Sequence, residues 1–116
     1  MKDILTIDFL SEVLGLKVWK VLDCNMNTLR YCIYPNKGDE PSEYMFPINI
    51  NDLMDRCIEK YKSEYTFGVF TDKDSYWCNI WKYGTEDNAR PFLGNTKIES
   101  VIKACQYIYN IKKDLK

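Results

Sequence analysis

The sequence predicts an α+β fold: a four-stranded, mainly antiparallel sheet made of two hairpins, with three helices packed on it in the order αββαββα. Three observations lead there. Apolar residues recur at helical spacing in three stretches, near 7–14, 51–61 and 97–112. Between those stretches lie two pairs of runs rich in aromatic and β-branched residues, each pair joined by polar turn-forming residues. The 116 residues are 46% hydrophobic and 15% aromatic, enough apolar material for one domain, 1–116, with a proper core.

The first predicted helix, 7–14, places Phe9, Leu10, Val13 and Leu14 on one face. Thr6 and Asp8 are candidate N-caps, and Gly15 supplies a stop because glycine enters the left-handed region without steric cost. Two strands follow, 17–22 and 29–34, around the polar stretch Asp23–Thr28. The segment 35–47 holds three of the four prolines and is expected to be a surface loop, since proline removes a backbone donor. A second helix starts near Asn51, capped by Asn49 or Asn51, with Leu53, Met54, Cys57, Ile58 and Tyr61 on its apolar face.

A second hairpin comes next. Tyr65, Phe67 and Val69 alternate with smaller or polar neighbours, the period of a strand with one buried face. Residues 71–75 form a turn cluster. The run 76–83 sets Tyr76, Cys78 and Ile80 on one side and Trp77, Asn79, Trp81 and Tyr83 on the other, which suits a strand covered on both faces. A polar loop is expected over 83–95. The last helix has the sharpest signature: the capping box Thr96-x-x-Glu99 leads into Ile98, Val101, Ile102, Cys105, Ile108 and Tyr109.

Composition excludes several chemistries. The chain has no histidine, which removes the commonest general base and every histidine-dependent triad. Its formal net charge of −1 provides no field to attract nucleic acid or an anionic membrane. No apolar run reaches the ~20 residues that span a bilayer, and no secretory signal is seen, so a cytoplasmic protein is expected. The five cysteines have no closely spaced pair, which argues against zinc, and in a reducing cytosol no disulfide framework is expected. Cys32, Cys57, Cys78 and Cys105 read as small buried hydrophobes, and Cys24, in a polar run, as an exposed thiol.

Four constellations bear on function. Asp72 and Asp74 could flank a hard cation, but the residues after them supply no further oxygens, so a solvated turn is expected. Asp39, Glu40 and Glu43, with Tyr44 beside them, form an acidic cluster; residues 37–64 carry four basic against seven acidic side chains. In an open loop such carboxylates suit partner recognition better than acid–base catalysis. Trp77, Trp81 and Tyr83 resemble a platform for single-stranded nucleic acid, with only Lys73, Lys82 and Arg90 nearby to track phosphates. If a helix covers those rings, they are core. The last helix carries five lysines against two acids over 97–116, the expected complement to its dipole. No phosphate-binding glycine loop, nucleophile elbow or metalloprotease motif is present.

Leu14-Gly15-Leu16-Lys17-Val18, the proline-rich stretch leading to the helix Leu53–Tyr61, the aromatic hairpin with Trp77-Cys78 and the closing helix Thr96–Tyr109 together resemble the phage alpha-beta-alpha sandwich domain family. The resemblance covers most of residues 8–110 and rests on order and spacing. It implies a layered α/β arrangement and a phage or prophage origin, and it implies no activity, cofactor or site residue. The expected function is therefore a non-enzymatic protein of phage or prophage type, without cofactor, that docks on a host or phage protein through its polar loops. Asp39, Glu40, Glu43 and Tyr44 are the candidate partner-binding residues. The alternative is a small single-stranded nucleic-acid-binding module using the aromatic strand 76–83; self-association is left open.

Overall fold

A computed structural model describes residues 5–24, 27–34, 45–84 and 89–114; within it, the Cys24 side chain is not described. The elements run α1 (Ile7–Leu14), β1 (Val18–Cys24), β2 (Thr28–Ile33), β3 (Phe46–Asn49), α2 (Ile50–Tyr61), β4 (Tyr65–Asp72), β5 (Ser75–Lys82), β6 (Arg90–Gly94) and α3 (Lys97–Asp114). The α+β class holds. The single four-stranded sheet does not: the strands form two separate three-stranded antiparallel sheets, β1-β2-β3 and β4-β5-β6. The chain divides into two compact units, Met1–Arg56 and Cys57–Lys116, with the boundary inside α2.

In the first unit, α1 begins where the Thr6 hydroxyl accepts the Phe9 N–H at 3.2 Å and ends at Gly15, whose φ of +67° is the left-handed stop its sequence position suggested. Ser11 ties the helix to the sheet. Its hydroxyl donates to the Ile7 carbonyl at 2.8 Å and accepts the Val18 N–H at 3.0 Å, joining α1 to the first residue of β1. Phe9 and Leu10 are fully buried, as is Leu29 on β2. Beyond the expected hairpin, β3 pairs along β2 with Leu29 opposite Ile48 and Tyr31 opposite Phe46. Part of the segment expected to be loop is thus a strand, and Pro47 sits in it. The Ile50 N–H donates to the Asn27 carbonyl at 2.8 Å. Bonded pairs alternate in an antiparallel ladder, so Leu29↔Ile48 and Tyr31↔Phe46 are bonded and the nitrogen of Pro47 points to the sheet edge, where no donor is needed. The remainder of that loop, 35–44, lies outside the described residues.

α2 opens with the Asn49 side-chain oxygen accepting the Asn51 N–H at 2.8 Å. Its expected apolar stripe is the buried one, with Leu53, Cys57 and Tyr61 inside.

The second unit is a β-meander backed by helix. β4 and β5 pair without interruption from Tyr65↔Lys82 to Asp72↔Ser75, closed by a two-residue turn at Lys73-Asp74. β6, again in a segment expected to be loop, pairs with β5 from Tyr76↔Gly94 to Ile80↔Arg90. Pro91 escapes penalty by the same parity as Pro47. The Tyr83 N–H donates to the Glu64 carbonyl at 3.0 Å, so residues 66, 68, 70 and 72 bond to 81, 79, 77 and 75. That turns the backbone groups of 76, 78 and 80 toward β6 and the nitrogen of Pro91, opposite Asn79, away from it.

α3 starts on a modified capping box. The Thr96 hydroxyl accepts the Glu99 N–H at 3.2 Å, while the Glu99 carboxylate reaches back to the N–H of Asn95 rather than that of Thr96, at 3.3 Å. From there Ile98, Val101, Ile102, Ala104, Cys105 and Ile108 enter the core with Cys78 and Ile80 of β5. The buried Ser100 hydroxyl is satisfied by the Lys97 carbonyl at 2.7 Å.

Candidate functional site

The meander has two faces of opposite character, assigned by the cross-strand register. On one, Phe67, Val69, Cys78, Ile80, Phe92 and Arg90 line up, because residues paired across strands share a face. α3 lies on this side: the rings of Phe92 and Tyr107 are 5.4 Å apart, and the Arg90 guanidinium stands 4.5 Å above the Tyr107 ring. The α2 residues of this unit pack beside α3, where the Cys105 thiol donates to the Cys57 carbonyl at 3.6 Å and the Lys112 ammonium lies 5.9 Å over the Tyr61 ring.

The other face carries Thr66, Gly68 and Phe70 of β4, Trp77, Asn79 and Trp81 of β5, and Pro91 and Leu93 of β6. The sequence suggested a strand covered on both sides. Instead, α3 packs on the Cys78–Ile80 face, and the tryptophan face stays open, with Phe70 47%, Leu93 45% and Trp81 39% exposed. Trp77 and Asn79 are half-buried between them. Gly68 makes this face flat. A methyl there would stand 3.2 Å from one ring carbon of Trp81 and 3.3 Å from another, so the indole lies directly over the β4 backbone. At the centre of the patch the Asn79 side-chain oxygen is buried and has no hydrogen-bond partner among the described residues. Tyr83, just past β5, is 57% exposed.

The charge on this surface is sparse and acidic. None of the strand positions on the open face is Lys or Arg; the charge it carries is Asp72, whose carboxylate accepts the Lys73 N–H at 2.7 Å, with Asp74 next in the turn. Lys82 and Arg90 fall on the helix-backed side by parity, and Arg90 is already engaged by Tyr107. Asp72 and Asp74 do not assemble a cation site: among the described residues no group of three or more metal-ligating side chains comes together.

The remaining sequence candidates divide as follows. Asp39, Glu40, Glu43 and Tyr44 lie outside the described residues, as does the side chain of Cys24. Cys32, Cys57, Cys78 and Cys105 are free and buried. Burial pushes the Cys78 thiol up to about 12. The Cys105 thiol is pushed up by its hydrogen bond with Cys57 and by burial, with Cys57 and Cys78 adding repulsion between would-be thiolates. Neither is a nucleophile at neutral pH.

One feature of the first unit had no signal in the sequence. An open depression of about 490 Å³ is lined by Leu16, Tyr31, Ile48, Asp52, Asp55 and Arg56, among others. Desolvation raises the Tyr31 hydroxyl above its ordinary value, with Arg56 pulling partly the other way.

Fold and surface together define an α+β protein of two small antiparallel sheets, one of which presents an uncovered aromatic face. No protein-family model, curated protein or solved structure matches the chain.

Proposed function

We propose that this is a non-catalytic protein-binding module whose docking surface is the open face of the β4-β5-β6 sheet. One observation carries it: α3 packs on one side of the sheet, while on the other Phe70, Trp81 and Leu93 are exposed with Trp77 half-buried among them. Exposed aromatic groups clustered around a flat centre are the anchors of protein recognition, since each buries a large area with few rotamers to freeze. The partner has a definable chemistry. It is a segment with aliphatic or proline side chains for the indoles and a basic flank for Asp72 and Asp74, and it brings a donor near Asn79. A phage or prophage origin, with a host or phage protein as partner, belongs to the same proposal and rests on the family resemblance alone. The nucleic-acid alternative shares the aromatic platform but lacks the cations, since stacking surfaces for single strands come with Lys and Arg along the backbone path.

The test is selection of a random 12-residue peptide display library on the intact protein, repeated on Phe70→Ser/Trp81→Ala. Enrichment on the parent of sequences with apolar residues and a basic flank, lost on the variant while its circular dichroism is unchanged, is the expected result. Equal enrichment on both proteins, or none on either, overturns the assignment. Quenching of tryptophan fluorescence by oligo(dT) with steep salt dependence would instead favour the nucleic-acid reading.

A further inference from the structure

The four outer strands of the two sheets are not equally protected. β3 has four residues and contains Pro47; β6 has five and contains Pro91, whose nitrogen faces outward. β1 meets β2 with two register shifts, between Val18 and Lys20 and between Val21 and Asp23, and irregularities of this kind twist a strand away from new partners. β4 has none of these guards. It runs eight residues, Tyr65–Asp72, pairs with β5 without a register shift, contains no proline, and carries no charge from 65 to 71.

The ladder parity says which of its backbone groups are unspent. With 66, 68, 70 and 72 bonded to β5, the N–H and C=O groups of Tyr65, Phe67, Val69 and Thr71 point outward from the sheet. β4 is the edge of its sheet, so within the unit these eight groups meet no strand.

We infer that β4 is a self-pairing edge: a second copy of this chain docks antiparallel on it and the two meanders merge into one six-stranded sheet. The occupant follows from the sequence of the strand itself. Placing a two-fold axis at Gly68 sets Phe67 against the partner subunit's Val69 and Tyr65 against the partner subunit's Thr71, all of them outward-bonding positions. On the opposite face it sets Thr66 against the partner subunit's Phe70, while Gly68 faces its own copy, so no bulky side chain collides at the axis. Aromatic residues opposite β-branched ones are favourable cross-strand pairs, and an axis here gives full overlap of the strand. The one like-charge juxtaposition, Glu64 against the partner subunit's Asp72, is eased because Lys112 already holds Glu64 at 2.6 Å. A chain of net charge −1 has little overall repulsion to oppose pairing. The arrangement is independent of the peptide-docking proposal, although it would place two aromatic faces on one continuous sheet.

The experiment uses the full chain. Sedimentation equilibrium over about 1 to 300 μM measures association. Amide hydrogen exchange at both ends of that range locates it. A monomer–dimer equilibrium is expected, in which the amides of Phe67, Val69 and Thr71 are slow at high concentration and at least tenfold faster on dilution. Those of Thr66, Gly68 and Phe70, bonded to β5, should be slow at both. Val69→Pro removes only an outward N–H and should abolish the dimer; the exchange pattern of the parent decides the matter even where that variant is misfolded. A monomer throughout overturns the inference, and so does a dimer in which the odd-numbered amides exchange equally fast at both concentrations.

Discussion

Gly94 closes β6, and the chain turns from it through Asn95 and Thr96 into α3. Its φ is not positive, so it is not there for conformational freedom. It is there for space. A methyl group on it would stand 2.5 Å from the Ser100 nitrogen, 2.9 Å from the Thr96 oxygen and 3.1 Å from the Glu99 carbonyl carbon. All three are backbone atoms of the first helical turn, held by the Thr96 cap and by the Ser100 N–H bonded to the Thr96 carbonyl at 3.2 Å. No side chain can swing aside to relieve the overlap. Gly94→Ala must therefore push α3 off the sheet or break its cap. Overpacking costs about 1–3 kcal/mol and a lost cap about 1 kcal/mol, offset by roughly 0.4–1 kcal/mol from a stiffer unfolded chain. With both costs the expected net loss is about 1–3.5 kcal/mol, read from urea unfolding by far-ultraviolet circular dichroism. Gly84 is the control: its φ is +76° with nothing within 4 Å of a built methyl, so its demand is conformational. Asparagine tolerates that region. Gly84→Asn should thus be nearly silent while Gly94→Asn is at least as damaging as Gly94→Ala. A Gly94→Ala protein within about 0.5 kcal/mol of the parent, the scale of an ordinary surface substitution, would refute the close approach.

Two further outcomes follow from the core. The Cys78 thiol rises from its ordinary 9.0 to about 12 on folding, and Cys105 rises as well. The unfolded chain therefore releases thiol protons first as pH climbs, so stability holds below pH 9 and falls from there toward 12. The slope is up to about 1.4 kcal/mol per pH unit for each such thiol, with buried Tyr31 and Tyr65, both raised by desolvation, acting in the same direction above 10. Urea midpoints from pH 7 to 11 measure it, and a flat profile above pH 9 would contradict the burial. Ile102 is fully enclosed in α3, so Ile102→Asp strands a carboxylate without a partner and should abolish cooperative unfolding, whereas Ile102→Val should cost about 1 kcal/mol. A folded, cooperative Ile102→Asp protein would remove α3 from the core.

The helices were legible because their signals are local. Thr6, Gly15, Asn49 and Thr96 act on groups within a few residues of themselves, and each performs the task its position suggested. The sheets were legible only in part. Pro47 and Pro91 marked their segments as loops, and that inference fails when the proline nitrogen points away from the partner strand. Which way it points depends on pairing parity, set by Ile50 with Asn27 in one sheet and by Tyr83 with Glu64 in the other. No window around either proline contains that information. The division into two sheets is equally nonlocal, since the second hairpin gains β6 across the polar segment after Tyr83 instead of joining the first.

β5 shows why the surface was harder to read than the core. Its alternation separates Cys78 and Ile80 from Trp77, Asn79 and Trp81 without saying which side a helix will take. Trp and Cys are both apolar, so pattern alone predicts burial for both. The backing helix decides it, and α3 takes the side of Cys78 and Ile80, both buried beneath it. Cys105 and Cys57 meet there, above Cys78. The aromatic surface is then a consequence of how the core closes. Replacing the small residues at 78 and 105 with larger ones would threaten the fold before it touched the face available for binding.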